Sequence, residues 1–196
     1  ELPAGLYYRQ LDTNEASWTD ATLQYASPYL RTLSREEANL QLVAFDTNRI
    51  FLAWDDNLLE QIYLQRSTDG GATLEEPALI DNRLAEDAPT APGPAHLRIG
   101  MRGSALLLTW QAGHESGGQC TQYSRRSLDQ GNSWEETTLL GSLTGCLDNA
   151  QFLPTDNGLI LLGSLNDTAY LLAWDGARWS NPQAQETLAS FTNPET

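Results

Sequence analysis

Few side chains in this sequence could do acid–base or ligand chemistry. The chain has two histidines, and His114 is followed directly by Glu115, a pair that could transfer protons. Residues 113–118, which surround this pair, are rich in glycine and serine and are typical of an exposed loop, which favours interpreting both as surface residues. Neither His96 nor His114 lies at a spacing typical of metal ligands. We therefore expect no metal and no cofactor.

Arg98 is the residue best suited to holding an anion. It lies near the start of an apolar run, and a guanidinium group there could bind a carboxylate through two parallel hydrogen bonds. The alternative is an internal ion pair with an Asp or Glu of a neighbouring element, and this is the favoured interpretation.

Ser67 and Ser127 each open a repeated pattern that contains an aspartate, Asp69 or Asp129. Both copies read Arg-Ser-x-Asp-x-Gly-x-(Thr/Ser)-(Leu/Trp), and the aspartates lie 60 residues apart. No histidine is placed by the repeat to activate the serine, so a nucleophilic role is not expected. An Asp side chain accepts hydrogen bonds from nearby backbone N–H groups, and Gly takes a positive φ without strain. The pattern predicts tight hairpin turns in a repeat architecture.

The two copies resemble the Asp-box, or bacterial neuraminidase repeat, Ser-x-Asp-x-Gly-x-Thr-Trp. The resemblance implies a β-propeller, the fold of sialidases and of many non-catalytic proteins with this repeat. Degenerate copies lie at Asp12 and Asp175. Because the aspartates would lie in separate blades, they are too far apart to share a calcium ion. The residues with an expected structural role are Ser67, Asp69, Gly71, Ser127, Asp129, Gly131, Trp134, Asp12 and Asp175.

Short apolar runs between these turns predict the strands of the blades. Trp54 and Trp110 close equivalent predicted hairpins and lie 56 residues apart. The repeating unit is four short strands in about 55 residues, as in a propeller blade. We predict an all-β propeller of four-stranded antiparallel blades, forming a single domain over residues 1–196. The predicted parts are an outer half-blade at 5–25 and blades at 39–81, 95–142 and 149–187.

The predicted turns alternate between two faces of the propeller. The Asp-box turns are short, whereas the loops of the opposite, open face are long: 26–38, 55–60, 82–94, 111–119 and 142–148. Long loops on a rigid scaffold commonly carry binding residues, and in the resembled sialidases the active site also lies opposite the Asp-boxes. The candidates for ligand binding on the open face are Arg98, His96, His114, Glu115, Asp55, Asp56 and Asp148.

The resemblance also implies what a catalytic sialidase requires. Such an enzyme uses three arginines to hold the substrate carboxylate, a Tyr–Glu nucleophile pair and an Asp acid/base. The usual Phe/Tyr-Arg-Ile-Pro stretch is absent from this sequence, and only Arg98 matches an inner-strand arginine. We therefore predict no catalytic residue. The first hypothesis is a non-catalytic propeller that binds a protein or a glycan or serves as a structural subunit. The second is part of a sialidase-like glycoside hydrolase, and a weaker third is an assembly or chaperone-type propeller.

Charge limits the class of partner. The formal net charge is −15, from 26 acidic and 11 basic residues, and every basic residue is an arginine. Such a surface repels a phosphate backbone, so a nucleic-acid partner is not expected. No apolar run approaches the roughly 20 residues of a membrane-spanning helix.

Cys120 and Cys146 are predicted to form a disulfide. Cys120 opens the third strand of its blade, and Cys146 lies in the connection that leaves the same blade. Their Cα atoms could therefore approach within the range that a disulfide requires. The bond would indicate an oxidising compartment and an extracytoplasmic location. The alternative is a pair of reduced thiols.

Three and a half blades cannot close a ring. We expect the missing inner strands of the half-blade to come from residues upstream of Glu1 or from another chain that completes a larger propeller. In the alternative, residues 187–192 fold back beside the half-blade in a four-bladed ring.

Overall fold

The protein is an assembly of antiparallel sheets. The computed structural model describes residues 3–33, 39–59, 61–81, 95–112, 120–140, 143, 145–156 and 158–185. In this part of the chain the regular structure consists of β-strands and one 3-10 turn, Pro28–Arg31. Three sheets have four strands each, with every strand next to its sequence neighbour. The predicted all-β class and the four-stranded antiparallel blades are confirmed.

Each complete blade is a four-stranded meander. Blade I contains β5 (Leu40–Ala44), β6 (Ile50–Asp56), β7 (Gln61–Ser67) and β8 (Ala78–Asp81). Blade II contains β9 (Ala95–Arg102), β10 (Ala105–Ala112), β11 (Thr121–Ser127) and β12 (Thr138–Leu139). Blade III contains β13 (Asp148–Thr155), β14 (Gly158–Leu165), β15 (Thr168–Trp174) and β16 (Gln183–Gln185). The first strand of blade II, β9, packs against both β5 and β13, so these three first strands are the innermost strands.

The N-terminal part is a two-stranded ribbon, which we call the half-blade. Its strands β1 (Gly5–Tyr8) and β4 (Thr22–Ala26) pair antiparallel. A small hairpin of β2 (Leu11–Asp12) and β3 (Ser17–Trp18) lies between them in sequence. The ring of Tyr25 lies 5.3 Å from that of Trp54 and 5.0 Å from that of Tyr63, so the half-blade packs on blade I.

The core lies between the blades. All eight residues of β10 are buried, because their side chains alternate between two neighbouring sheets. Leu106, Leu108 and Trp110 belong to the cluster that blade I shares, whereas Leu107 packs with Leu159 of blade III. This arrangement explains why the second strand of the blade is almost continuously apolar.

The two serine–aspartate turns have the same hydrogen-bond network. Asp69 Oδ1 accepts from Thr73 N at 2.9 Å, and Asp69 Oδ2 accepts from the Thr73 hydroxyl at 2.6 Å. The Ser67 hydroxyl donates to Asp69 and accepts from Gly71 N at 2.8 Å. Gly71 has a φ of 91°, which glycine adopts without strain. These bonds, led by that of the Thr73 hydroxyl, lower the pKa of Asp69 to about 2.

The second copy repeats this geometry in blade II. Asp129 accepts from the backbone N–H and the hydroxyl of Ser133 at 2.8 and 2.6 Å, and Ser127 donates to it at 2.7 Å. Gly131 takes a φ of 81°, and Trp134 packs against the core between blades I and II. At the two degenerate turns the aspartates, Asp12 and Asp175, each accept from two backbone N–H groups.

Cys120 and Cys146 are joined by a disulfide, as predicted, with their Cα atoms 5.6 Å apart. The bond connects the start of β11 to the segment that leads into blade III. It therefore encloses the outer hairpin of blade II in a covalent loop. Within the described residues, we find no helix with the length and apolarity to cross a membrane.

Candidate functional site

The open-face ends of the first two strands of the blades carry most of the predicted binding residues. β6 ends at Asp55 and Asp56, β9 begins just before His96 and Arg98, and β13 begins at Asp148. His96 and Asp148 are exposed, Arg98 is half-buried, and both residues of the Asp55–Asp56 pair are buried. The remaining two candidates, His114 and Glu115, lie outside the described residues.

Arg98 connects all three blades. Its Nε donates to the backbone carbonyl of Ala150 in blade III at 2.6 Å. One of its terminal nitrogens donates to Leu97 O at 2.7 Å and to Asn39 Oδ1, at the start of blade I, at 3.1 Å. Burial lowers the pKa of Arg98, and the nearby Asp55 opposes this shift. The guanidinium group is thus engaged within the protein.

Asp55 lies at the other end of the same network. Its Oδ2 accepts from Asn39 Nδ2 at 2.7 Å, and the backbone N–H of Leu97 donates to its carboxyl group. The side chain is 4% exposed, and burial raises the pKa of Asp55 to about 7 against the opposing effect of these two hydrogen bonds. Residues Asp55, Asn39 and Arg98 form what we call the three-blade network.

Asp56 faces the opposite side of the same strand. It is fully buried, and its Oδ2 accepts from the Tyr25 hydroxyl of the half-blade at 2.8 Å. Its Oδ1 accepts from Leu59 N at 3.1 Å and so also holds the turn after β6. Because successive side chains of a strand alternate, Asp55 faces blade II and Asp56 faces the half-blade.

The inner strands of blades II and III begin with equivalent bulges. His96 and Asn149 have φ values of 54° and 52°, and the strand pairing shifts by one residue at each position. Bulges of this kind redirect side chains and occur often beside functional sites. The bulges set His96 and Asp148 at the same end of neighbouring inner strands, where both side chains are exposed.

Two residues of the network region were missed by sequence reasoning. Asn39 connects Asp55 to Arg98, and Tyr29 lies close enough to Asp55 and Asp56 for their charges to act on it. Burial, followed by these carboxylates, raises the pKa of Tyr29 to about 12. The Ser27-Pro28 pair was the available signal for Tyr29, because Ser27 caps the 3-10 turn that carries it.

The candidate site contains no evident metal centre. In the described ranges, no group of three or more His, Cys, Asp or Glu side chains is arranged to hold a metal ion. The chemistry that the described open face offers is hydrogen bonding through the exposed His96 and Asp148, on a scaffold held by the three-blade network.

Comparison with known proteins identifies the fold. No protein-family model matches the sequence, and no curated protein is similar to it in sequence. The structure is similar to that of a Hadza microbial sialidase, with a TM-score of 0.55 and 16% identity over 90% of this chain and 40% of that chain. It is also similar to an α-L-arabinanase of Penicillium chrysogenum complexed with arabinobiose, with a TM-score of 0.52 and 14% identity over 88% and 53% of the two chains.

A third similar structure is a family 117 glycoside hydrolase from the marine bacterium Zobellia galactanivorans, with a TM-score of 0.51, 12% identity and coverage of 78% and 57%. The chain thus spans between 40% and 57% of the length of these solved structures. At this level of identity the similarity concerns the fold alone. The chain has the propeller-like fold of these glycoside hydrolases.

Proposed function

We propose that the chain is a non-catalytic segment of an Asp-box propeller that binds a glycan or a protein through its open face. The observation that carries this proposal is the direction of the two neighbouring carboxylates. A glycoside hydrolase requires two carboxyl groups on either side of one glycosidic bond, about 5 to 10 Å apart. Asp55 faces blade II and Asp56 faces the half-blade, so these two groups do not face one bound ligand.

The engagement of Arg98 supports the same proposal. A sialidase-like enzyme would use an inner-strand arginine to bind the substrate carboxylate. Arg98 instead donates to three acceptors of the protein itself, in Ala150, Leu97 and Asn39. Releasing it for a ligand would leave these partly buried acceptors without their donor, at a cost of about 1–3 kcal/mol.

The location that fits this function is extracytoplasmic. The Cys120–Cys146 disulfide supports it, because such bonds persist in oxidising compartments and are rare in the cytosol.

Hydrolysis assays test the absence of catalysis. Residues 1–196 would be incubated with a fluorogenic sialoside and with a chromogenic α-L-arabinofuranoside, and we expect no release of either reporter group. Turnover that persists after purification to homogeneity and disappears in Asp55→Asn would overturn the proposal.

Binding is tested separately on a glycan microarray with fluorescently labelled protein. We expect retention of a subset of glycans that is lost in the double variant His96→Ala/Asp148→Ala, because both exposed side chains lie at the open face. Asp12→Ala, in an exposed Asp-box turn, is the matched control and should retain the same glycans. Equal binding by all three proteins would contradict an open-face site.

The second candidate function is part of a sialidase-like glycoside hydrolase. It is favoured by the similarity to the Hadza microbial sialidase, which extends over 90% of this chain but only 40% of that chain. A longer natural chain that contains these residues could supply the missing catalytic groups. Sialoside turnover by such a chain, but not by residues 1–196, would favour this candidate.

We also propose that a β-hairpin from another chain, or from sequence beyond residues 1–196, completes the half-blade. Leu42 in β5 and Ile99 in β9 occupy equivalent positions in their blades. Leu42 pairs with Leu52, and Ile99 pairs with Leu108. Leu52 and Leu108 are 56 residues apart, the same spacing as Trp54 and Trp110. Ile99 is 5% exposed under blade I, whereas Leu42 is 55% exposed. Leu42 faces the position where the inner strands of the half-blade would lie, so an apolar hairpin paired with β1 fits this surface.

Hydrogen exchange and mass in solution test this completion. For isolated residues 1–196 we expect faster amide exchange in β1 than in β10, because β1 has an open edge. A well-protected monomer, with β1 exchanging as slowly as β10, would overturn the proposal.

A further inference from the structure

A groove lies between blades II and III on the Asp-box side, away from the open face. It has a cavity volume of about 330 Å³, at the lower end of the range for small-molecule sites. The side chains that matter here are Arg126, Arg178, Glu135, Glu136, Trp174 and Trp179. β11 and the following turn contribute one wall, and the turn between β15 and β16 contributes the other.

The third turn, which lines the groove, departs from the repeat. In blade I the turn is closed by a backbone hydrogen bond from Glu75 N to Arg66 O, and in blade II by one from Glu135 N to Arg126 O. Donor and acceptor are nine residues apart in each case (75 − 66 and 135 − 126). In blade III the equivalent bond runs from Ser180 to Ala173, seven residues apart (180 − 173). The third turn is therefore two residues shorter.

The longer turn of blade II fills the same place at the junction between blades I and II. A Cβ added at Gly131 would lie 3.4 Å from both Leu64 and Leu106, and Asn132 accepts a hydrogen bond from Arg66. In the shortened turn, a Cβ added at Gly176 would meet no atom within 4 Å. The third turn therefore packs less closely at Gly176, while Arg126 still donates to Ala177 O across this junction, as Arg66 does to Asn132.

The lining mixes hydrogen-bond donors and acceptors beside aromatic rings. Arg126 and Glu135 form an ion pair at 2.6 Å, and Glu136 is exposed beside them. The Arg178 side chain is 86% exposed, and its ion pair with Asp175 is long at 3.8 Å. Arg125 is a third lining arginine, so three of the 11 arginines of the chain surround this groove. Because the chain has a net charge of −15, this local group of arginines reduces the repulsion that an anionic ligand would otherwise meet.

Two tryptophans complete the site. Trp179 is half-buried and donates from its indole nitrogen to Ser124 Oγ at 3.3 Å. Trp174 is 5% exposed, and within the described part of the chain its buried Nε1 has no hydrogen-bond partner.

We propose that this groove is a saccharide-binding site separate from the open face. A sugar hydroxyl both donates and accepts, which suits walls that carry arginine donors and carboxylate acceptors. The apolar face of a sugar ring suits the exposed part of the Trp179 indole. The site does not depend on the function proposed for the open face, since the two lie on opposite faces of the blades.

Indole NMR signals provide a direct test. Uniformly ¹⁵N-labelled protein would be titrated with N-acetylneuraminic acid, with glucuronic acid and with L-arabinose, which separates acidic from neutral sugars. We expect at least one sugar to shift the indole N–H signals of Trp174 and Trp179 in a saturable way, with the Trp18 signal unchanged. Absence of a saturable shift with all three sugars would overturn the proposal.

Variants test the location of the site. Inserting Gly-Asn after Gly176 restores the length of the full turn and should abolish the shifts. Arg178→Ala should weaken binding by about fivefold or more, as loss of one hydrogen bond predicts, and Arg31→Ala is the charge-matched control. Shifts that persist in the insertion variant, or equal affinities of Arg178→Ala and Arg31→Ala, would show that the sugar binds elsewhere.

Discussion

Tyr25 and Asp56 join the half-blade to blade I through a hydrogen bond of 2.8 Å between the phenol hydroxyl and Oδ2. Burial, followed by this bond to Asp56, raises the pKa of Tyr25. The same ring packs against Trp54 and Tyr63, so one side chain supplies both the polar and the aromatic contacts of the junction. Docking of the half-blade should therefore depend strongly on this residue.

The first prediction is that Tyr25→Phe destabilises the protein. The change keeps the aromatic packing but leaves Asp56, which is fully buried, without one of its donors. We expect the free energy of unfolding to fall by about 1–3 kcal/mol, measured by urea denaturation. Tyr7→Phe is the control, because the Tyr7 hydroxyl donates to Pro3 O at an exposed position. Equal losses in the two variants would contradict the assigned role.

The second prediction concerns the pH dependence of stability. The pKa of Asp55 is raised from 3.8 in its ordinary state to about 7 in the folded protein, mainly by burial. The folded state thus binds a proton that the unfolded state has released. This contribution is fully present below about pH 4 and is lost as the pH rises through about 7, so it makes stability fall across that window.

Asp55→Asn isolates this effect. The amide keeps an acceptor for Asn39 or Leu97 and carries no charge. We expect the fall in the free energy of unfolding between about pH 4 and about pH 7 to be smaller in the variant by a few kcal/mol. Urea denaturation of both proteins across this range measures it. Parallel pH profiles would show that Asp55 does not titrate in this way.

The third prediction is that the serine–aspartate turns act on stability. Asp129→Ala removes the acceptor of three hydrogen bonds from Ser127 and Ser133, and should lower the melting temperature by a few degrees. Asp12→Ala, which removes two bonds in an exposed hairpin, should lower it less. Binding on the glycan array should survive in both variants. Loss of glycan binding at an unchanged melting temperature would show that the faces are assigned wrongly.

The fourth prediction concerns the disulfide. Cys120 and Cys146 are separated by 26 residues, and closing a loop of this size stabilises a protein by about 3 kcal/mol on chain-entropy grounds. The double variant Cys120→Ser/Cys146→Ser should lose about this much free energy of unfolding. Intact-mass analysis after alkylation of the unreduced native protein provides the covalent check, and modification at two thiols would refute the bond in solution.

The fold was predictable because its signals are local. The pattern around Asp69 and Asp129 specifies a turn from a few adjacent residues, and its recurrence sets the length of the repeating unit. The end of β6 was not predicted, since Asp55 and Asp56 were assigned to the open-face loop 55–60, whereas the strand continues through both and turns them toward different sheets.

The contacts of the candidate site were less predictable because they join distant parts of the chain. Asn39 is 59 residues from Arg98, and Tyr25 is 31 residues from Asp56. Their pairing depends on how neighbouring blades are rotated and spaced, and no local pattern encodes this. The groove beside Trp179 lies next to a turn that is two residues shorter than its counterparts, and this difference becomes visible only when the three blades are compared in space.

The covalent loop of blade II has a mechanical consequence. When the ends of the chain are pulled, force passes through the Cys120–Cys146 bond and bypasses the 25 residues between them (146 − 120 − 1). The oxidised protein should therefore extend by roughly 80 to 90 Å less than the reduced protein, since an extended residue spans about 3.3–3.6 Å. The Asp129 turn lies inside this bypassed segment, so it carries no tension while the bond is intact.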